Sequence, residues 1–203
     1  MSWNRAESTP PIACALDAAI VTVDYATGRT SAVLSRARPR PPAITGPRWC
    51  PSWGSQELGY GWRPPRRPTA GHLMSAAPVL ALTLLVLGTG RKKRTMSRAL
   101  WLLRRTLRVH TREATLAEAE RAHCAVRWIG LFLPMRVACL EESVATVLTL
   151  ALLGRRVTWC HGVCADPIEF HAWLRVSDGS PVAEPASTRR FQVLLTIPPH
   201  PRE

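Results

Sequence analysis

The chain has 203 residues, 27 Lys+Arg against 14 Asp+Glu, and a formal net charge of +13. That length allows one domain with at most an appendage, and a hydrophobic content of 46% excludes a wholly disordered chain. The basic excess is mostly scattered Arg, clustered only at Arg91-Lys92-Lys93-Arg94 and Arg104-Arg105, so a solvated basic surface is expected and no nucleic-acid partner.

Residues 1–73 read poorly as a fold. Ten of the 18 Pro lie there, and Arg36–Pro42 and Trp62–Pro68 alternate Pro with Arg, a composition that stays extended and solvated. Only Ile20–Asp24 has the pattern of a short strand. The segment is expected to be a Pro/Arg-rich extension, either a disordered basic arm or, the favoured reading, a piece outside the working protein with Met74 or Met96 as the start. Residues 74–110 form an apolar and basic helical region. Met74–Gly90 carries no charge over 17 residues and runs directly into the basic cluster at 91–94. A bilayer span needs about 20 apolar residues, so a buried or membrane-surface helix between Pro78 and Gly88 is favoured over a span. Membrane association through 74–94 stays open.

Residues 111–203 are expected to form the working domain, of α+β class. Thr115-Leu-Ala-Glu118 is a capping box that opens a helix running to about Ile129, with Leu116, Ala119, Ala122, Val126 and Ile129 on one face. Pro134 interrupts the pattern. A second helix starts near Cys139, runs to Leu153 and ends at Gly154. Strands follow at Val157–Val163, Phe170–Val176 and Arg190–Ile197, with a turn at Asp166-Pro167 and a hairpin at Ser177–Ser180.

Cys139 stands at the start of the long helix, where unpaired N–H groups and the positive end of the macrodipole favour a thiolate, the nucleophilic form. A Cys merely packed under a helix start would look the same. His171 changes the balance. Strand alternation puts Phe170, Ala172, Leu174 and Val176 on the core face, leaving His171 on the other face with Glu169, Trp173 and Arg175. Helix-borne Cys followed by strand-borne His is the order of papain-like and transglutaminase-like thiol enzymes. Glu184 is expected on the strand returning beside His171, where its carboxylate could orient the imidazole. Asp178 competes for that role but sits at the hairpin tip. Trp173 either contacts substrate or covers the imidazole. Cys160, His161 and Cys164 are close in sequence, but alternation sends His161 away from the two Cys, so no metal is expected. The six Cys are sparse and follow no secretory signal peptide, which points to a reducing cytoplasm.

Cys139-Leu140 with Ser143, Val157–Val163, Asp166-Pro167, His171-Ala-Trp173, Asp178-Gly179, Pro181-Val182, Glu184-Pro185 and Leu194–Pro198 together resemble the transglutaminase-like cysteine protease of lasso-peptide biosynthesis, in its stand-alone leader-peptidase form. The resemblance covers residues 111–199. It implies a papain/transglutaminase-like fold with Cys139 as nucleophile, His171 as general base and acid, and Glu184 as orienting carboxylate, a position where the family often has Asp. It implies no cofactor. The implied partners are a precursor leader peptide, a separate leader-recognition protein and an ATP-dependent lasso cyclase. The alternative is a non-catalytic scaffold that binds the leader or tethers the maturation machinery to a membrane.

Overall fold

A computed structural model describes residues 10–16, 19–34, 67–90, 94–109, 111–164 and 168–198. The Pro/Arg-rich stretch at 36–42, most of that at 62–68, residues 91–93 of the basic cluster and the Asp166-Pro167 turn lie outside the described residues. Chain order is β1 (Ile12–Ala15), β2 (Ala19–Asp24), β3 (Arg29–Leu34), α1 (Ala70–Gly88), α2 (Thr95–Leu107), α3 (Leu116–Gly130), α4 (Cys139–Leu152), β4 (Thr158–Cys164), β5 (Glu169–Arg175), a 3-10 helix (Ala186–Arg190) and β6 (Gln192–Ile197). The strands form two antiparallel three-stranded sheets, ordered β1-β2-β3 and β5-β4-β6. The architecture is α+β.

The expected helices form where their end signals lie. Thr115 and Glu118 make both halves of the capping box at the start of α3. Ala119, Ala122 and Val126 face the core, whereas Leu116 is exposed. The second helix begins at Cys139, and Gly154 follows it with φ +68°, the left-handed conformation that glycine adopts without a Cβ clash. β4 is the central strand, buried along nearly its whole length. α4 packs on β4 and β5, and α3 and α1 pack on α4.

The N-terminal part differs from its local sequence pattern in two places. Residues 12–34 are a folded meander, and Leu16, Val21, Val23 and Tyr25 share one apolar cluster with Val144, Leu150, Trp159 and Leu174. Short strands with weak local propensity become stable once their alternate side chains gain an apolar surface to cover. Tyr25, in the β2–β3 turn, is fully buried. Its hydroxyl shares a 2.8 Å hydrogen bond with Nδ1 of buried His161, whose ring is stacked between Trp159 and Phe170. The second place is α1, which starts at Ala70 and runs through Pro78. Pro78 lies on the exposed side of the helix, so the loss of one backbone donor there leaves no buried carbonyl to satisfy. By length and composition α1 could cross a membrane. Yet Ala76, Val79 and Leu80 pack against Ala125, Val126 and Ala145, as in a core helix.

The Tyr25–His161 contact makes the docking of the meander testable. Tyr25→Phe would leave a buried imidazole nitrogen without its partner, and the expected loss is about 1–3 kcal/mol in urea unfolding. Burial also depresses the His161 pKa to about 4. Between that value and the unfolded value of 6.5 the unfolded chain binds the extra proton. Stability is therefore lost as pH falls through this window, by roughly 3 kcal/mol in all. Unchanged urea midpoints in Tyr25→Phe would contradict the docking.

Candidate active site

Cys139 is the first residue of α4. Its N-cap, Ala138, has extended backbone and no side chain able to cap. The first N–H groups of α4 have no acceptor within the helix. Facing the helix start is β5, with His171 paired across the sheet to Gly162 of β4. One side-chain bond fixes helix to sheet: the Trp159 indole N–H donates to the Ser143 hydroxyl at 2.9 Å. Ser143 lies one turn along from Cys139, so this bond ties the first turn of α4 to β4.

The three expected residues converge. His171 Nε2 is 2.8 Å from Glu184 Oε2, and Cys139 lies near enough to raise the His171 pKa. The imidazole is partly open to solvent, and Glu184 is largely enclosed. Burial disfavours the imidazolium, but hydrogen bonds to Cys139 and Glu184, and the charges of both, outweigh it and raise the His171 pKa to about 10. Burial likewise works against the Glu184 carboxylate. The hydrogen bond and charge of His171, the Thr188 hydroxyl and His123 overcome that and hold Glu184 below the usual carboxylate range. Thr188 donates to the same Oε2 at 2.8 Å. The arrangement can keep a charged imidazole beside a sulfur nucleophile and deliver its proton to a leaving group.

Two local expectations differ in detail: the element that carries Glu184 and the faces of β5. Glu184 is not on a strand. After the Arg175–Pro181 bridge and the Val182 N–H bond to Leu174, the chain leaves the sheet. Pro181 and Pro185 cannot donate to a ladder, and Ala183 takes φ +53°, a left-handed turn that aims Glu184 back at His171. The Thr188 contact then comes from the 3-10 helix that follows. Asp178 caps its own turn by accepting from the Ser180 N–H at 2.7 Å, and takes no part in the site. Trp173, considered for substrate contact, is only 1% exposed and stacks on His171 with ring centres 5.7 Å apart. It covers the imidazole, and Phe191 packs on both rings. Alternation assigned Trp173 to the outer face and Phe170 to the core. The structure buries both faces of the strand centre and leaves Phe170 at its exposed end.

Sequence reasoning missed Gly162, Thr188 and the buried pair beside the triad. His123 of α3 and Glu142 of α4 are buried with Nε2 and Oε1 3.5 Å apart, and Arg127 pairs with the same carboxylate. Burial holds His123 below its ordinary value against the pull of Glu142. Cys160 and Cys164 are buried in β4, and burial pushes the Cys160 thiol up to about 11. Among the described residues no group of three His, Cys, Asp or Glu side chains is arranged to hold a metal ion.

The role of Glu184 has a pH signature. Its carboxylate favours the imidazolium, so Glu184→Gln lowers the pH at which His171 loses its proton. The alkaline limb of kcat/KM should move to lower pH. The rate should fall on the order of 10- to 100-fold, less than removal of acid–base catalysis altogether. An unmoved alkaline limb would exclude Glu184 as the orienting group.

A family model described as the Transglutaminase-like superfamily matches residues 81–196, more than half of the chain. No curated protein and no solved structure matches it.

Proposed function

The chain belongs to the transglutaminase-like superfamily, and from that premise we propose that it is a cysteine peptidase that removes the leader from a ribosomally made lasso-peptide precursor. The observation carrying this reading is the convergence of Cys139, His171 and Glu184 at the start of α4. The family motifs quoted from the sequence narrow it from thiol hydrolase to leader peptidase.

The Cys139 thiolate attacks the carbonyl at the leader–core junction. The oxyanion is met by the N–H groups at the start of α4, including that of Cys139 itself. His171 gives its proton to the leaving amine, which frees the core peptide with a new N-terminus. The leader remains as a thioester on Cys139. Water, deprotonated by His171, then attacks the thioester and releases the leader acid. The freed core amine is the group that a separate ATP-dependent cyclase joins to a side-chain carboxyl. A separate leader-recognition protein presents the precursor.

Glu184 fixes the tautomer and orientation of His171 throughout. A non-catalytic scaffold would have no use for a partly exposed imidazole hydrogen-bonded to a buried carboxylate beside a thiol at a helix start.

The test is incubation of the chain with precursor, with and without the leader-recognition protein, followed by mass spectrometry. A leader-length fragment that depends on Cys139 supports the reading. Intact precursor under both conditions, with all proteins folded, overturns it in favour of the scaffold.

A further inference from the structure

The amino-terminal helices carry a feature that peptide cleavage does not use. α1 buries Ala76, Val79, Leu80, Thr83 and Leu87. On its other side Met74, Ala77, Pro78, Ala81, Leu82 and Leu85 are exposed. Their spacing of three and four is that of one helical stripe, without a polar side chain among them. Met74, Leu82 and Leu85 are 76%, 54% and 62% exposed, large values for side chains of this size.

α2 packs against α1 and differs in character. It buries Ala99, Leu100, Leu103 and Leu107. Arg94, Arg98, Trp101, Arg105 and Arg108 recur at helical spacing on another face, and all but Arg98 are exposed. The Arg105 guanidinium sits 5.6 Å above the Trp101 ring. In sequence, Arg91-Lys92-Lys93 joins the two helices. The whole stretch 58–112 has twelve Lys or Arg and no Asp or Glu.

We propose that α1 and α2 form a docking surface for an anionic phospholipid bilayer, on which the protein lies without spanning it. The apolar stripe of α1 enters the acyl boundary. Arg94 and Arg105 of α2 meet lipid phosphates, and Trp101 suits the wet interface between the two. Charge selects this occupant. A second copy docking through the same helices would bring two segments free of carboxylates together, which like-charge repulsion opposes. A nucleic acid would meet the Arg residues but leave the α1 stripe in water. Spanning is excluded by packing, since Ala76, Val79 and Leu80 would have to leave their contacts with α3 and α4. The inference is independent of the peptidase reading, because none of these side chains belongs to the Cys139 site.

The experiment uses the full chain with vesicles of phosphatidylcholine alone and vesicles containing phosphatidylglycerol, read by co-sedimentation. Partitioning should be at least tenfold stronger onto the phosphatidylglycerol vesicles and should weaken as salt is raised. Leu82→Glu with Leu85→Glu should reduce it tenfold or more while the melting temperature is kept. Arg94→Gln with Arg105→Gln, a surface change that leaves the α1 stripe intact, should remove most of the preference for phosphatidylglycerol. Equal partitioning onto both vesicles, or full binding by both variants, overturns the proposal. So does a wild-type dimer that Leu82→Glu with Leu85→Glu converts to monomer, because the stripe would then be a contact between copies.

Discussion

Cys139→Ala should reduce precursor cleavage by on the order of 10⁴-fold or more, to the limit of detection, with the fold intact. The magnitude follows from the division of labour in a nucleophile–imidazole pair. Removing the nucleophile alone costs about as much as removing the whole unit, because what remains is binding and oxyanion stabilisation. The fold should tolerate the change. Cys139 is the first residue of α4 and only partly buried, and Ala is the better helix former, so the stability change is expected within about 1 kcal/mol. A second readout separates catalysis from packing. Cys139 helps hold His171 protonated, so in Cys139→Ala the imidazole should titrate at lower pH, as followed by NMR. Cleavage at the wild-type rate in this variant would sink the peptidase assignment.

The second large effect is expected at Gly162, a residue that touches no substrate. A Cβ built there would lie 2.7 Å from the Gln192 carbonyl oxygen of β6 and 2.7 Å from Cη2 of Trp173. The carbonyl is fixed in the sheet, and the indole is held between His171 and Phe191. Gly162→Ala must therefore either part β4 from β6 or drive Trp173 into the His171 imidazole. Overpacking of this kind costs about 1–3 kcal/mol, which lowers the melting temperature by several degrees at roughly 2–4 °C per kcal/mol for a chain of this size. Displacing His171 by even ~1 Å should lower kcat on the order of 10²-fold. Substrate binding remote from the imidazole should change less, so kcat should fall more than KM rises. Wild-type melting and turnover in Gly162→Ala would mean that the indole has room to move and does not set the imidazole position.

The sequence was most informative where the signal is local. The capping box at Thr115–Glu118 and the turn at Ser177–Ser180 are each decided by interactions within a few residues, and each forms as expected, as does the start of α4 at Cys139. The order Cys139, His171, Glu184 was also legible. A helix start, a strand centre and a Pro-flanked acid can be placed by pattern before their distances are known. That Glu184 and not Asp178 reaches His171 follows the same logic, since a turn-tip carboxylate is used by its own backbone.

What pattern could not decide depends on contacts between distant parts of the chain. Alternation put Trp173 on an outward face, yet the indole is buried because Phe191, Gly162 and His171 close around it. The Ser143–Trp159 bond and the Thr188 hydroxyl on Glu184 are invisible to any local signal. Residues 12–34 are the largest case. Their strands are short, and only 20–24 look like a strand alone, because a short meander gains little until its apolar side is covered. The cover comes from β4, more than a hundred residues later, where Tyr25 meets His161. Sequence by itself determined the class of the fold and the identity of the candidate triad, since both rest on short-range periodicity and end signals. Tertiary structure alone decided the docking of the amino-terminal strands and the support of the imidazole, since burial is a property of the packed whole.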